Sequence, residues 1–265
     1  MAIRIGINGA AGRMGQRLIA LAAADPELNV AAALEHAANP KLGGDAGTIA
    51  GIGPVGVALA GQLTAPIDVM IDFSVPQATA TVREICVEKK IPLVVATTGL
   101  PAELQEKIRA AAQTIPVLWA PSMSLAVNLA MRLAEMAGRA LAEHPAGADV
   151  EIIEKHHRFK EDAPSGTALK FGEIIAGVMG QKDARHGRSG RPGQRPHGEI
   201  AYHAVRTGDN PGEHTVIFGL LGETLELTVR ATNRDCYAHG ALAAAKFLAG
   251  KPPGLYSMND VLKLG

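Results

Sequence analysis

A strand pattern, Ile3-Arg4-Ile5-Gly6-Ile7-Asn8, runs directly into Gly9-Ala10-Ala11-Gly12-Arg13-Met14-Gly15 and then into an amphipathic helix over residues 14–24. This juxtaposition constrains the fold more than any other feature. A strand that ends in closely spaced glycines at the mouth of a helix opens a βαβ unit, because the turn must be tight and the backbone must come close to a ligand. The helix start offers unpaired N–H groups and the positive end of its dipole, which suits a dinucleotide pyrophosphate. The spacing is GxxGxxG, one residue longer in the turn than GxGxxG. A strand–helix turn that binds no phosphate is the plainer alternative and ranks second. Asp25-Pro26 closes the helix, since Pro cannot continue it and restricts the residue before it.

Strand and helix patterns then alternate. Residues 28–34 form a second strand pattern ending at Glu35-His36. An acidic side chain there accepts from adenosine ribose hydroxyls, or else it is an ordinary solvated loop residue. An arginine beside it would favour a 2′-phosphate. The neighbour is His36, which leaves NADH or NADPH open with a lean to NADH. Residues 37–65 are rich in Gly and Ala and read as a long loop with a short helix or strand. A strand over 66–74, a helix over 77–89, a strand over 91–96, a helix over 101–113 and a strand over 116–120 follow. Such alternation implies a parallel sheet covered on both faces, with ligands outside the carboxyl ends of its strands. Ala96-Thr97-Thr98 and Ala120-Pro121-Ser122-Met123 stand at two such ends. They join Gly9, Ala10, Ala11, Gly12, Arg13, Met14 and Glu35 as candidate cofactor-binding residues.

Beyond an apolar helical stretch at 124–141 the pattern changes. Strand patterns at 199–206, 213–220 and 224–231 are separated by the turns Gly208-Asp209-Asn210-Pro211-Gly212 and Gly222-Glu223. Consecutive strands after a βα alternation signal a second, α+β domain. With 149–157 they make a four-stranded mixed sheet whose open face calls for cover, which another copy of the chain supplies naturally. A last helix over 236–249 and the tail return to the first domain. The expected architecture is therefore α/β: a Rossmann-like dinucleotide-binding domain of residues 1–124 and 238–265, and a substrate-binding and oligomerisation domain of residues 125–237.

The chemistry concentrates in Glu151-Ile152-Ile153-Glu154-Lys155-His156-His157-Arg158-Phe159-Lys160-Glu161-Asp162-Ala163-Pro164-Ser165-Gly166-Thr167. An apolar strand ends in two histidines, a lysine follows, and Pro-Ser-Gly-Thr opens a helix over 167–179. Histidine exchanges protons near neutral pH, lysine donates one, and a helix start seats an anion. Each piece has a bland reading: a polar strand edge, a solvated loop charge, a helix cap. All three within a dozen residues favour a carboxylate-bearing substrate held beside proton donors. His156 and His157 do not make a metal site, because adjacent strand residues point to opposite faces and no further ligand has zinc-site spacing.

Charge and composition narrow the partners. Lys plus Arg, 26, balance Asp plus Glu, 26, so nothing calls for nucleic acid or an acidic membrane. The basic Gly/Pro stretch at 182–197 lacks interleaved aromatics for base stacking and reads as a solvated loop, or one that folds over an anionic substrate. Apolar runs are too short or too interrupted to span a bilayer, and no secretory signal pattern is present. Cys86 and Cys236 have no paired spacing and read as reduced thiols in a cytoplasmic protein.

Three segments, the glycine turn with Arg13-Met14-Gly15, Glu154-Lys155-His156-His157-Arg158-Phe159-Lys160-Glu161-Asp162-Ala163-Pro164-Ser165-Gly166-Thr167-Ala168, and Arg206-Thr207-Gly208-Asp209-Asn210-Pro211-Gly212-Glu213-His214-Thr215, closely resemble the 4-hydroxy-tetrahydrodipicolinate reductases of lysine and diaminopimelate biosynthesis. The resemblance runs from Gly9 to the tail. It implies reduction of a cyclic imine dicarboxylate by NADH or NADPH, with His156 as proton donor and acceptor and Lys160 as proton donor. It places the substrate carboxylates on His157 and on Ser165, Gly166 and Thr167, and it implies a homotetramer assembled through the second-domain sheets. The chain departs from the family at Ala96, Ser122 and Ala126, where Gly, Asn and Gly are usual. The rival readings are a related amino-acid dehydrogenase, or a dinucleotide sensor without catalysis that would need the glycine turn but not His156 and Lys160.

Overall fold

The computed structural model describes residues 1–144 and 147–264. In chain order its elements are β1 (Ile3–Asn8), α1 (Arg13–Ala23), β2 (Leu28–Leu34), α2 (Ala46–Ile49), β3 (Leu59–Ala60), β4 (Val69–Asp72), α3 (Pro76–Lys89), β5 (Leu93–Val95), α4 (Ala102–Ala111), β6 (Pro116–Trp119), α5 (Leu125–Leu141), β7 (Asp149–His156), α6 (Gly166–Met179), β8 (Asp183–His186), β9 (Glu199–Arg206), β10 (Glu213–Gly219), β11 (Thr224–Arg230), α7 (Asp235–Leu248), β12 (Gly254–Tyr256) and α8 (Met258–Leu262). They form two compact units, Met1–Leu125 with Asp235–Gly265, and Ala126–Arg234.

The first unit is built on seven parallel strands in the order β12-β6-β5-β4-β1-β2-β3. Its central strands read as unbroken apolar runs because both faces are covered. The period-2 alternation of side chains divides those runs between two cores. Ile71, Val94 and Leu118 pack with Leu18 and Ile19 of α1 and with the small residues Ala238, Ala241, Ala244 and Ala245 of α7. Their neighbours Met70, Leu93 and Val117 pack with Val82 and Cys86 of α3 and Leu104 and Ile108 of α4. In α1 the buried residues are Gly15, Leu18, Ile19 and Ala22, the i, i+3, i+4, i+7 stripe of a helix on a sheet. Strand order reverses between β1 and β4, and their carboxyl ends open the crevice where ligands bind in such sheets.

The second unit is a mixed sheet in the order β11-β10-β7-β9-β8. Strand β7 pairs antiparallel with β10 and parallel with β9. Its burial alternates strictly, with Val150, Ile152, Glu154 and His156 inward. The inner face packs on α5 and α6 through Val127, Met131, Ala134, Phe171 and Ile175.

The sheet has five strands, not the expected four. The fifth, β8, lies within the stretch expected to be a basic loop. Its sequence, Asp-Ala-Arg-His, is exposed on both faces and has no apolar alternation. Only backbone pairing with β9 makes it a strand, and side-chain pattern carries no trace of that. The remainder of the stretch is anchored rather than free. Arg188 and Arg195 grip Glu151 at 2.9 Å each, Arg195 reaches Asp149 at 2.7 Å, and Arg188 also pairs with Glu199.

Candidate active site

In the first unit the turn after β1 is shaped for close backbone approach. Gly9 has φ +81°, and a Cβ there would run into the Phe73 carbonyl oxygen, so only glycine fits. Helix α1 begins with Gly12 as its N-cap, which has no side chain to satisfy the first-turn N–H groups. Those donors are left for an anion. The Glu35 carboxylate accepts from the Ala11 N–H at 3.0 Å and the His36 N–H at 3.1 Å, so it braces the turn from the end of β2. Beside it lies a cavity of about 600 Å³ lined by Gly9, Gly12, Glu35, His36, Phe73 and Ser74 among others. A positive-φ glycine, an uncapped helix start and an adjoining cavity fit a dinucleotide.

Under this turn Asp72, 0% exposed at the end of β4, collects four donors. They are the Asn8 amide at 2.8 Å and the hydroxyls of Ser74 at 2.5 Å, Thr79 at 2.6 Å and Thr97 at 2.8 Å. The hydroxyl of Thr97, expected to face a cofactor, is thus committed to Asp72 and also accepts the Ser74 N–H at 3.0 Å. Ala10, Ala96, Ala120 and Met123 are likewise buried in the cores. Gly12, Arg13, Thr98 and Pro121 are exposed, and Ala11, Met14, Glu35 and Ser122 are half-buried.

In the second unit the carboxyl end of β7 brings titratable groups together. His156 is buried, and its Nδ1 lies 2.5 Å from Glu154 Oε2. Glu154 is 0% exposed and takes a bidentate grip from Arg206 at 2.7 and 2.8 Å and the Ser165 N–H at 3.1 Å. Burial opposes its charge, but the hydrogen bonds from Arg206 and His156 hold it below the ordinary carboxylate range. Burial lowers the pKa of His156, Glu154 pulls it back up, and the charges of Lys160 and Arg206 push it down again. The Lys160 ammonium sits 2.7 Å from Asp162 in the loop after β7. His214, on β10, meets the His156 ring edge-on at 5.2 Å. Burial foremost, then His156, pushes its pKa down to about 4.

Ser165 both caps α6, accepting from the Ala168 N–H at 3.2 Å, and contacts His214 Nε2 at 2.9 Å. Gly166 and Thr167 then occupy the first turn, where N–H groups have no helical acceptor. His157 turns away from the inner face, and its Nδ1 is buried with no partner among the described residues. The structure thus gathers His156 and Ser165 around one carboxylate, with Lys160, paired to Asp162, in the loop between them and Gly166 and Thr167 next in the chain. Sequence reading gave no role to Glu154, Arg206, His214 or Asp72. For Glu154 the signal was present: it is two residues before His156 on the same strand, hence in phase with the buried face. Among the described residues no group of three or more His, Cys, Asp or Glu could hold a metal, and no helix is long and apolar enough to cross a membrane.

Residues 3–123 match the family described as dihydrodipicolinate reductase, N-terminus, and residues 126–262 match dihydrodipicolinate reductase, C-terminus. A 4-hydroxy-tetrahydrodipicolinate reductase of Rhodopirellula baltica is 54% identical over 98% of this chain and 96% of its own length. One of Methylococcus capsulatus is 44% identical over 100% and 99%. Among solved structures, a dipicolinate-bound dihydrodipicolinate reductase from Paenisporosarcina sp. TG-14 superposes with TM-score 0.77 at 24% identity, covering 97% of this chain and 98% of that one. An amine dehydrogenase from Mycobacterium smegmatis shares the fold with TM-score 0.63 at 13% identity, covering 98% and 96%.

Proposed function

The chain belongs to the dihydrodipicolinate reductase family, and on that premise we propose that it is an NAD(P)H-dependent oxidoreductase of lysine and diaminopimelate biosynthesis. The reaction converts 4-hydroxy-tetrahydrodipicolinate, a reduced nucleotide and a proton into tetrahydrodipicolinate, the oxidised nucleotide and water. The observation that carries this reading is a buried imidazole held at Nδ1 by a carboxylate, under the charge of Lys160 and one loop away from the Ser165-capped start of α6.

The bound nucleotide supplies the hydride, and the protein supplies position and protons. His156 exchanges a proton and Lys160 donates one, neutralising electron density that develops on the ring nitrogen side. Ser165, Gly166 and Thr167 at the start of α6, with His157, seat the two carboxylates through N–H groups, hydroxyls and the imidazole. Residues 9–14 and Glu35 hold the nucleotide, with residues 96–98 and 120–123 at neighbouring strand ends. Glu35 beside His36, with no arginine, favours NADH over NADPH. Residues 1–124 with 238–265 serve the nucleotide, and 125–237 serve substrate and assembly. Ile153, Val205 and Ile217 leave a half-exposed apolar patch on the outer sheet face, which supports a homotetramer built through it. The setting is the cytoplasm.

The test is nucleotide oxidation with substrate generated in place by dihydrodipicolinate synthase, run with NADH and NADPH in parallel and against oxaloacetate plus ammonia. Oxidation only with the synthase product is expected. Oxidation only with oxaloacetate and ammonia would make the chain an amino-acid dehydrogenase. Nucleotide binding without turnover on either would make it a sensor.

A further inference from the structure

We propose that Glu154 is the positioning residue of the proton-exchanging site: fixed by Arg206 and the Ser165 N–H, its carboxylate accepts the Nδ1 proton of His156 and so presents Nε2 as the atom that gives and takes the proton. This rests on the reading of His156 as the proton-exchanging group.

Three observations carry it. First, Glu154 has no freedom to move. It is 0% exposed, and its two oxygens together receive a bidentate guanidinium at 2.7 and 2.8 Å, a backbone N–H at 3.1 Å and the imidazole at 2.5 Å. An ionised carboxylate only accepts, so the nitrogen facing it is the protonated one. Second, the other nitrogen is kept clear. A Cβ at Gly212 would stand 3.0 Å from His156 Nε2, and Gly212 has φ +150°, a conformation that side chains disfavour. Third, Arg206 neutralises the carboxylate that orients the ring. A lone buried anion at 2.5 Å would hold His156 permanently protonated, whereas an ion-paired one steers the tautomer and still lets Nε2 release its proton. The charged and titratable groups facing His156 are Glu154 on its own strand, Arg206 on β9, His214 on β10, and Lys160, paired to Asp162, in the following loop.

Long-range ¹⁵N–¹H spectra of the histidine-labelled protein, with His156 assigned by its loss in His156→Ala, read the tautomer directly. Wild type is expected to carry the neutral-state proton on Nδ1, and Glu154→Gln to lose that preference. In Glu154→Gln kcat is expected to fall roughly 100-fold, with both KM values within about 3-fold. Glu154 favours the protonated ring, so its loss moves the limb where rate falls with deprotonation of His156 to lower pH. A merely structural role would lower the melting temperature and leave tautomer and limb in place, which overturns the proposal. Should Glu154→Gln not fold, the wild-type spectrum alone decides, since a proton on Nε2 contradicts it. Full turnover by His156→Ala would remove the functional reading of His156, while the tautomer would still report on Glu154 independently.

Discussion

Each unit fully buries a carboxylate at the carboxyl end of a strand, and the two are held in opposite ways. Asp72 is surrounded by neutral donors, one amide and three hydroxyls. Glu154 is held by a guanidinium and an imidazole, with a single backbone N–H. Both arrangements answer the same requirement, since a buried charge must be fully hydrogen-bonded. Their consequences differ. The partners of Asp72 do not titrate near neutral pH, so that cluster is a clamp joining β1, β4, α3 and the end of β5 under the glycine turn. One partner of Glu154, His156, is a titratable group, so the charge of that cluster can change. A nucleotide that delivers hydride needs a rigid seat, whereas a group that delivers protons must change charge.

The sharpest way to separate the regions is pH. His214 has a folded pKa of about 4 against an ordinary value of 6.5, so the folded state prefers the neutral ring. That preference stabilises fully above pH 6.5 and is lost as pH falls toward 4, an effect on the order of 3 kcal/mol. Hydrogen exchange of β10 amides at pH 7, 5.5 and 4 should show this loss, and His214→Asn should flatten it. An equal slope in both proteins would mean that His214 is not the source.

A smaller effect is expected in the first unit. Asp72→Asn withdraws the shared anion from four donors and should cost about 2 kcal/mol of stability and weaken nucleotide binding. The pH dependence of kcat should stay where it is. A shift of that profile would mean the two clusters are not separate in function. Smallest of all, Thr79→Val removes one donor of four and should cost about 1 kcal/mol in denaturant unfolding, with nucleotide affinity retained. A cost as large as that of Asp72→Asn would show that Thr79 alone bears the cluster.

The regions also differ in how much of their structure is legible in the sequence. The first unit was legible almost throughout, because buried parallel strands leave apolar runs and helices leave stripes. The side-chain directions at its strand ends were less so. Thr97 stands at the right strand end, yet its hydroxyl points to Asp72, a side-chain choice that spacing along a strand does not specify. In the second unit the strands of β9, β10 and β11 were legible from alternation and turns, while β8 was not, since backbone pairing alone defines it. His156 and Lys160 stood out by residue type. Glu154 did not, because a glutamate in a strand reads as solvated unless its phase is followed to the buried face. Arg206 and His214 lie much further on in the chain, and only the sheet register, His156 opposite Arg206 and Glu154 opposite His214, brings them in.

One measurement tests the division of labour most directly: nucleotide affinity and turnover determined on the same preparation of the double variant His156→Ala/Lys160→Ala. The account predicts nucleotide binding as tight as wild type and a kcat lower by at least about 100-fold with the synthase-generated substrate. Wild-type turnover, or a loss of affinity that parallels the loss of rate, would contradict it.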